Sequence, residues 1–404
     1  MAFWDGWLRR GGRKTSTLEL FRQIYGGNES RAGTVVDWKR ALEVSTVLAC
    51  CRVVAEGVAQ VPWRVYQDVD GGRKVATEHP LHRRLNRRPN RWQTSFEFRE
   101  TVVFHQMLTN NAFVFVNRVG TAREVRELVP IEPGRVTVEQ IDDAELRYKV
   151  RGKNGQEQIF PQESIWHLRG PSWNSWLGMD AMRLAREAIG LSMAAEQSQA
   201  ALHKNGGRVG GVLSVEGPLK EDQYKQLRAH IEREFAGAAN DGKWVVADRG
   251  AKFEKIVMSG VDAQHLETRK FQTEEICRQF RVMPIMIGHA DKTATYASAE
   301  QMFLAHVVHT LMPWYQRLEL SGDINLLSER DLDAGYYTKF VPNALMRGAA
   351  TDRAQFYAAA LGSGGTKGWM TQNEVRALEE LDRSVEPEAD KLPQSTASTP
   401  APAA

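Results

Sequence analysis

Apolar residues recur every three or four positions in several stretches of the chain. In Ser45–Ala59 they stand at Val47, Cys50, Val54 and Val58. This spacing places them on one face of a helix that has 3.6 residues per turn. The segment therefore predicts a helix with one buried side.

A different pattern, the alternation that is typical of strands, appears in Trp63–Tyr66 and Ala112–Arg118. Between them, Thr94–Leu108 has helical spacing. Short strands are expected to follow as far as Trp166, broken by prolines and glycines such as Pro130. Helices and strands mixed in this order predict an α+β domain.

The pattern changes at Gly178–Asn205, which is rich in alanine and contains no proline. It predicts one helix about 40 Å long. A compact α/β insert is expected in residues 207–260, followed by a second helix, Ala263–Phe280. The two helices would form a hairpin with the insert at its tip. After a polar loop comes a third helix, Ala299–Leu320, in which Pro313 is expected to cause a kink.

The C-terminal part combines a strand with helices. Leu326–Lys339 is expected to form a returning loop and strand, and Thr351–Leu361 a helix. Thr371, with Glu374 three positions later, is the signature of a capping box at the start of a further helix. The final segment, Pro387–Ala404, is rich in proline, alanine, serine and threonine, a composition typical of disorder.

Composition narrows the class of protein. The chain has 404 residues, of which 42% are hydrophobic and 25% charged, the balance of a folded protein with room for two or three domains. Its formal net charge is only +3. Dedicated DNA-binding domains are usually more basic, so any nucleic-acid contact has to come from local clusters. Neither a secretory signal nor an apolar run of the roughly 20 residues that span a membrane is recognisable, so no membrane partner is expected.

The chain contains three cysteines, Cys50, Cys51 and Cys277. Two of them are adjacent, the number is odd, and no CxxC spacing occurs. This pattern predicts neither a disulfide framework nor a zinc site, and it favours a reducing compartment.

Motifs that would signal catalysis are weak. Gly362–Lys367 comes nearest to a phosphate-binding loop, but its spacing differs from GxxxxGK[ST]. Ser172 lacks the GxSxG context of a nucleophile. His306 and His309, with Glu300 earlier on the same helix, could hold a metal, but an ordinary helix face is the favoured interpretation. The sequence therefore predicts no enzyme, no cofactor and no metal site.

Basic residues cluster in two places. Five arginines lie within residues 83–91 beside Trp92, and this patch suits phosphate or an acidic partner, or equally a solvated rim or a subunit contact. Other basic residues fall on or beside the two long helices, and in a closed ring each would become a circle of charge. These candidate channel or stem residues are Lys204, Arg208, Arg269, Lys270, Arg278 and Arg281.

Seven segments, taken in order, resemble the portal family of tailed bacteriophages, in the branch that includes the smaller portals and those of gene transfer agents. The most specific is HPLHRRLNRRPNRWQTSFEFRE at His79–Glu100. The others are STVLACCRVVAEGVAQVPWRVY (Ser45–Tyr66), NAFVFVN (Asn111–Asn117), GPSWNSWLG (Gly170–Gly178), NGGRVGGVL (Asn205–Leu213), FRVMPIMIG (Phe280–Gly288) and TQNEVR (Thr371–Arg376).

The resemblance implies an α+β subunit of several regions that assembles into a ring, a dodecamer in this family. The regions would be a flexible N-terminal arm (1–33), a wing (34–177), a first stem helix (178–206), a small α/β clip (207–260), a second stem helix (261–284), a tunnel loop (285–298), a kinked helix with the returning wing (299–348), a helical crown (349–385) and a disordered tail (386–404).

The resemblance also implies a function. The ring would sit at the portal vertex of a capsid assembled in the host bacterial cytoplasm, and double-stranded DNA would pass through it during packaging and ejection. Its other partners would be the terminase large subunit, a head-tail connector or adaptor, and the major capsid protein.

The loop expected to line the narrowest part of the channel has mixed charge and small polar groups. A wall of this kind contacts DNA without neutralising many phosphates, which would stall movement. The candidate DNA-facing residues are His289, Asp291, Lys292, Thr293 and Thr295.

Two other interpretations remain open at this point. A nucleic-acid enzyme that encircles DNA would show metal- or ATP-dependent activity. A head-tail adaptor ring other than a portal would lack the DNA-lining loop, although such adaptors are usually much shorter than this chain.

Overall fold

The computed structural model describes residues 28–69, 72–121, 123–142, 145–152, 154–204, 212–214, 221–222, 225–226, 252–254, 261–289, 296–342, 350–363, 367–378 and 384–393. The helices in these ranges are α1 Trp38–Glu43, α2 Ser45–Ala59, α3 Pro80–Asn86, α4 Ser95–Thr109, α5 Ala181–Lys204, α6 Val261–Phe280, α7 Tyr296–His306, α8 Met312–Leu326, α9 Glu329–Asp333, α10 Ala350–Ala360 and α11 Gln372–Leu378.

The strands in the same ranges are short, and all their pairings are antiparallel. They are β1 Asn28–Glu29, β2 Val35–Val36, β3 Trp63–Val69, β4 Gly72–Val75, β5 Asn111–Val119, β6 Glu124–Ile131, β7 Val136–Asp142, β8 Glu145–Arg151, β9 Glu157–Pro161, β10 Ile165–Arg169, β11 Val212–Ser214, β12 Lys252–Glu254 and β13 Tyr336–Phe340.

The chain forms two compact units that alternate along the sequence. The first comprises Met1–Gly57 and Pro89–Asp291, and the second Val58–Arg88 and Lys292–Ala404. The segment that contains β3, β4 and α3 therefore belongs with the C-terminal part of the chain. The predicted wing, residues 34–177 with the returning wing of residues 299–348, is divided between the two units.

The first unit is built on two three-stranded sheets, in the orders β10–β5–β6 and β7–β8–β9. Strand β5 is central, and helix α4 packs against it. The core lies between the sheets, where aromatic side chains from β5, β8 and β9 meet. Its buried residues are Phe113, Ile131, Val136, Val138, Leu146, Tyr148, Val150, Ile165 and Leu177, with Phe115, Phe160 and Trp176 packed against them.

Pro130 does not break its strand. It lies inside β6, opposite Val114 of β5. Strand β6 is at the edge of its sheet, so the missing N–H of proline can face away from the neighbouring strand. The prediction of a strand break at Pro130 was wrong because it took no account of this edge position.

Helix α5 has 24 residues and is about 36 Å long. It begins at Ala181 rather than Gly178, because Gly178 belongs to the preceding loop. The β1–β2 hairpin packs against it, with the backbone N–H of Arg31 donating to Glu187 Oε2 at 3.0 Å. Residues 28–33 are therefore ordered, and the prediction of a flexible arm is wrong for them. The rest of the predicted arm lies outside the described residues.

The two long helices pack against each other, as the predicted hairpin requires. Within the insert between them, β11 pairs with β12, with Leu213 opposite Phe253. This pairing agrees with a compact insert. Most of the predicted α/β insert, residues 207–260, lies outside the described residues.

The second unit is organised around the sheet β13–β3–β4. Trp63 of β3 lies opposite Phe340 of β13, and their rings stack with centroids 4.8 Å apart. Gly322 lets helix α8 approach this pair, since a Cβ there would lie 2.8 Å from Trp63 Cζ2. On the outer edge of β13, Asp323 Oδ1 and Glu319 Oε1 of α8 accept backbone N–H groups at 2.7 and 2.6 Å. The helix therefore covers an edge that would otherwise be open to pairing with another strand.

The third long helix changes its winding where Pro313 predicted a kink. A π-helical turn, Val307–Leu311, joins α7 to α8, and Pro313 occupies the first turn of α8. Proline has no N–H and its ring clashes with the carbonyl four residues earlier, so the wider turn accommodates both effects. Helix α8 then continues to Leu326, six residues beyond the predicted end, and α9 occupies part of the predicted returning loop.

The predicted capping box at the start of α11 is present. The N–H of Thr371 donates to Glu374 Oε2 at 2.8 Å, and the N–H of Glu374 donates to Thr371 Oγ1 at 3.2 Å. The chain after α11 returns to this helix, because Asn373 Nδ2 donates to Asp390 Oδ1 at 2.8 Å. The prediction of a disordered tail is therefore wrong for residues 386–393, and the remainder lies outside the described residues.

Candidate functional site

One buried side chain holds the loop of residues 170–178 that leads into helix α5. Oδ1 of Asn111 accepts hydrogen bonds from the N–H of Gly178 at 2.9 Å and from Nε2 of His167 at 3.0 Å. Because Nε2 donates, Nδ1 of His167 accepts from the Tyr148 hydroxyl, 3.3 Å away. Burial lowers the pKa of His167 well below its usual value, so the ring stays neutral in this network.

Glycines at both ends of this loop allow it to approach Asn110. A Cβ at Gly178 would lie 2.0 Å from the Asn110 carbonyl oxygen, and one at Gly170 would lie 2.5 Å from Asn110 Oδ1. Within the loop, the hydroxyl of Ser172 donates to the carbonyl of Leu177. Ser172, which the sequence analysis rejected as a nucleophile, thus has a structural role. The loop fixes the start of the first long helix.

Arg269 joins the two long helices of the first unit. Its Nη1 donates to Gln199 Oε1 at 2.8 Å, and its Nη2 lies 3.7 Å from Glu196 Oε1. Both partners are on α5, whereas Arg269 is on α6. The positive charge that was predicted to face a channel is therefore partly neutralised inside the subunit.

Arg278, near the end of α6, is also paired. It forms salt bridges with Glu275 and with Glu274, the second at 3.6 Å, and its guanidinium lies 5.8 Å from the ring centroid of Phe271. Lys270 lies exposed on the same helix. The described surface of α6 thus alternates acidic and basic side chains, with no uniform basic stripe.

Arg281 follows α6 and has a left-handed backbone, with φ of 55°. The N–H of Arg281 donates to the carbonyl of Arg278 at 3.1 Å, and the N–H of Val282 donates to that of Cys277 at 3.0 Å. These two bonds form a Schellman cap, in which glycine is the usual residue at the left-handed position. An exposed arginine in its place is strained, and strain of this kind gathers at functional positions.

The remaining predicted basic residues and the polar loop are described only in part. Lys204 is the last residue of α5, and Arg208 lies outside the described residues. His289 is half-buried, and its N–H donates to the carbonyl of Pro284 at 3.0 Å. The other candidate loop residues lie outside the described residues: Asp291, Lys292, Thr293 and Thr295.

The arginine cluster of residues 83–91 is divided between the two units. Arg91 belongs to the first unit, where its Nε lies 3.2 Å from Glu127 Oε1. The other four arginines belong to the second unit, on or directly after helix α3. The cluster is therefore not one continuous patch within a single unit.

One surface that sequence reasoning missed is a row of exposed apolar side chains along α7, the π-helical turn and α8. Its members are spaced by multiples of four residues, lie between 41% and 77% exposed, and extend over about 30 Å. We call this row the apolar line: Leu304, Val308, Met312, Leu320 and Ile324. Its spacing was visible in the sequence, but only the structure shows that these side chains are exposed.

In the part of the chain that the structure describes, no group of side chains is arranged as a catalytic site. No group of three His, Cys, Asp or Glu side chains there could hold a metal ion. His306, a candidate ligand, is buried, and burial lowers its pKa. A cavity of about 590 Å³ in the second unit has Arg73, Glu319 and Lys339 as its charged residues and is lined by no serine, cysteine or histidine. None of the described helices is long and apolar enough to cross a bilayer.

Comparison with known proteins shows which protein family this chain resembles. A family model described as phage portal protein matches residues 45–380. The portal protein of Enterobacteria phage HK97 is 28% identical over 348 residues, covering 85% of this chain and 80% of the relative. The probable portal protein of Streptomyces phage phiC31 is 29% identical over 400 residues, covering 94% and 86%.

The fold has relatives among solved structures. A chain in the neck of a native gene transfer agent particle, computed with C12 symmetry, is similar with a TM-score of 0.55 at 22% identity. The match covers 93% of this chain and 97% of that chain. At this level of identity the likeness establishes a shared fold.

Proposed function

The chain belongs to the phage portal protein family, and we propose that it is a portal-vertex subunit whose ring conducts double-stranded DNA during packaging and ejection. The observation that carries the proposal is the extent of the family match, residues 45–380, which includes segments of both compact units. Portal proteins are structural, so the energy for DNA movement would come from a separate motor, the terminase large subunit. The major capsid protein would surround the ring.

Electron microscopy of the purified full-length chain tests the ring directly. Rings with a central hole, twelve subunits around, are the expected result. Particles that remain monomeric at micromolar concentration would contradict the proposal.

The apolar line supports assembly with further copies of the chain. Five large, exposed apolar side chains along one helical segment are unusual on a protein that stays monomeric. A closed ring uses heterologous contacts, in which one surface of a subunit meets a different surface of its neighbour. We assign the apolar line to such a contact.

Substitutions at the end of the apolar line test this assignment. Leu320→Asp and Ile324→Asp place a charge where the neighbour would bury apolar surface, so native mass spectrometry should show monomers in place of rings. Ile324→Leu keeps the apolar surface and serves as the matched control, which should still form rings. Circular dichroism confirms that each variant is folded. Rings formed by folded aspartate variants would place the contact elsewhere.

The channel wall is proposed to include α6 and residues 285–298, of which residues 296–298 form the start of α7 and not part of a loop as predicted. Support comes from the mixed charge of α6, where Arg269 and Arg278 are paired with glutamates. Each uncompensated phosphate contact strengthens DNA binding and its salt dependence, so a wall of paired charges allows DNA to slide. The loop between His289 and Tyr296, with Asp291 and Lys292, has the same mixed character.

Deleting residues 290–295 tests the loop. We expect rings of normal size, but less DNA packaged or retained in particles that carry the deletion. A matched control replaces the same residues with a glycine–serine loop of equal length, which separates loss of side chains from loss of length. Normal packaging and retention by the deletion variant would refute this part of the proposal.

The insert of residues 207–260 is proposed as the clip that docks the motor and later the connector. It is supported by its position between α5 and α6 and by the pairing of β11 with β12. Charge reversals on exposed residues, such as Glu221→Lys and Lys225→Glu, should weaken binding of the terminase large subunit in a pull-down with assembled rings. Undiminished binding by a series of such variants would refute the assignment.

A further inference from the structure

Two cysteines that are far apart in sequence meet in the core of the first unit. Cys50 of α2 and Cys277 of α6 are both buried, and their Sγ atoms lie 3.8 Å apart. The contact joins the helix that starts the family match to the second of the two long helices. Both thiols are free in this structure.

We propose that Cys50 and Cys277 are a redox-modification site, where a peroxide or a small-molecule disulfide converts the two thiols into a disulfide between α2 and α6. A disulfide needs its sulfur atoms about 2.05 Å apart. From 3.8 Å the gap closes by less than 2 Å, which adjustments of two neighbouring side chains can supply. Cys51 lies on the same helix as Cys50, but the sulfur contact with Cys277 is made by Cys50.

With hydrogen peroxide as oxidant, the chemistry balances in two steps. The thiolate of one cysteine attacks a peroxide oxygen, which gives a sulfenic acid and, after protonation, one water. The second thiol then condenses with the sulfenic acid, forming the S–S bond and releasing a second water. Two thiols lose two protons and two electrons, and one peroxide is reduced to two waters.

The environment distinguishes the two thiols. The hydrogen bond between them, together with burial, raises the pKa of Cys50, whereas the same bond lowers the pKa of Cys277. The thiolate is the reactive form of cysteine, so the thiol that loses its proton first starts the reaction and the other resolves the intermediate.

Cys51 provides an internal control, because it follows Cys50 directly and is equally buried. Successive residues of a helix are rotated by about 100° around its axis, so Cys51 faces a different direction. Burial raises the pKa of Cys51 to about 12, so this thiol stays protonated. We expect it to remain reduced under conditions that oxidise the other two.

A bond between α2 and α6 would matter after a particle leaves the cell. Disulfides form and persist on virions and in other oxidising surroundings, whereas the cytoplasm keeps thiols reduced. The bond would close a loop of more than 200 residues and tie the second long helix to the body of its unit. The expectation that the bond forms after the particle leaves the cell rests on the proposed portal function. The chemistry itself depends only on the contact between the two thiols.

The experiment treats the full-length protein with hydrogen peroxide, blocks remaining thiols with iodoacetamide and maps tryptic peptides without reduction. The expected product links Ala41–Arg52 to Phe271–Arg278. Because the first peptide contains both Cys50 and Cys51, the Cys51→Ala variant decides which one reacts. It should give the same link, whereas Cys50→Ala and Cys277→Ala should give none.

A second readout is thermal. Oxidation should raise the Tm of the wild type and of Cys51→Ala by about 5 °C or more, and leave that of the other two variants unchanged. The proposal would be overturned if both Cys50 and Cys277 were alkylated after oxidation. A link between Cys50 and Cys51, or a link between two molecules, would also overturn it. The peptide map of the wild-type protein does not depend on whether any variant folds. Ring formation is measured separately on the reduced protein, so failure of the disulfide proposal can be told apart from failure of the proposed portal function.

Discussion

Asn111 accepts a hydrogen bond from His167 at 3.0 Å, and both side chains are buried. The same oxygen also accepts the N–H of Gly178, three residues before α5 begins. A single amide thus fixes strand β5, strand β10 and the loop that leads into the first long helix. On the proposed division of the subunit, the α+β body would pass into the stem at this place.

Replacing Asn111 should therefore destabilise the first unit strongly. Asn111→Ala removes the partner of His167 Nε2 and of both backbone groups of Gly178, and buried unsatisfied groups cost about 1–3 kcal/mol each. We expect a loss of about 3 kcal/mol or more, measured by urea unfolding. Asn117→Ala on the same strand is the control, because Asn117 makes one bond to Glu127 and is only half-buried. Equal losses in the two variants would contradict the role given to Asn111.

Acid should weaken the fold through His105. Burial lowers the pKa of His105 to about 4, whereas an unfolded histidine titrates near 6.5. Between these values the unfolded chain binds more protons, so stability falls as the pH drops from about 6.5 to about 4. The loss is on the order of 1–3 kcal/mol.

His105→Leu should reduce this acid sensitivity. The measurement is the free energy of unfolding at pH 7 and pH 4.5 for both proteins. Some sensitivity will remain, because burial also lowers the pKa of His167 and His306. An equal loss of stability in wild type and variant would show that His105 does not contribute.

Arg281→Gly should stabilise the protein and reduce DNA packaging. A non-glycine residue at φ of 55° is strained, so glycine should gain about 1 kcal/mol in the free energy of unfolding. Arg281→Ala also removes the charge but keeps the strain, so it should show no such gain. If Arg281 lines the channel, both variants should package DNA less well than Arg281→Lys. Normal DNA packaging by the Arg281→Ala variant would show that Arg281 does not line the channel.

Gly190→Ala should disturb the packing of the β1–β2 hairpin against α5. A Cβ at this position would lie 2.4 Å from Ser30 Oγ, so the hairpin must move although alanine favours a helix. We expect a loss of about 1–3 kcal/mol. Ser30→Gly makes room, so the double variant should be less destabilised than the sum of the two single variants. Strict additivity in urea unfolding would contradict the contact.

Local patterns predicted several elements well. Helix α2 has the predicted bounds, Ser45–Ala59, because its apolar spacing and the proline that follows act within a few residues. The capping box of Thr371 and Glu374 is also confirmed. At Pro313 the sequence predicted a disturbance but not its form, since the π-helical turn depends on how both flanking helices pack.

Long-range contacts were beyond the reach of these patterns. Strand β3 pairs with β13, about 270 residues later, and this pairing assigns Val58–Arg88 to the second unit. The charged residues show the same limit. The sequence offered Arg269 and Arg278 as candidate channel or stem residues but did not reveal that both are paired with glutamates in the folded subunit.

By itself, the sequence determined the α+β class, the two long helices around an insert, and membership of the phage portal protein family. These follow from periodicity and from ordered motifs, which act locally or survive as residue identities. Tertiary structure alone decided that Cys50 meets Cys277, that Asn111 holds the start of α5, and that the apolar line along α7 and α8 is left exposed. Each of these depends on where distant segments pack, and the free energy of that packing is shared among many residues that no short motif contains.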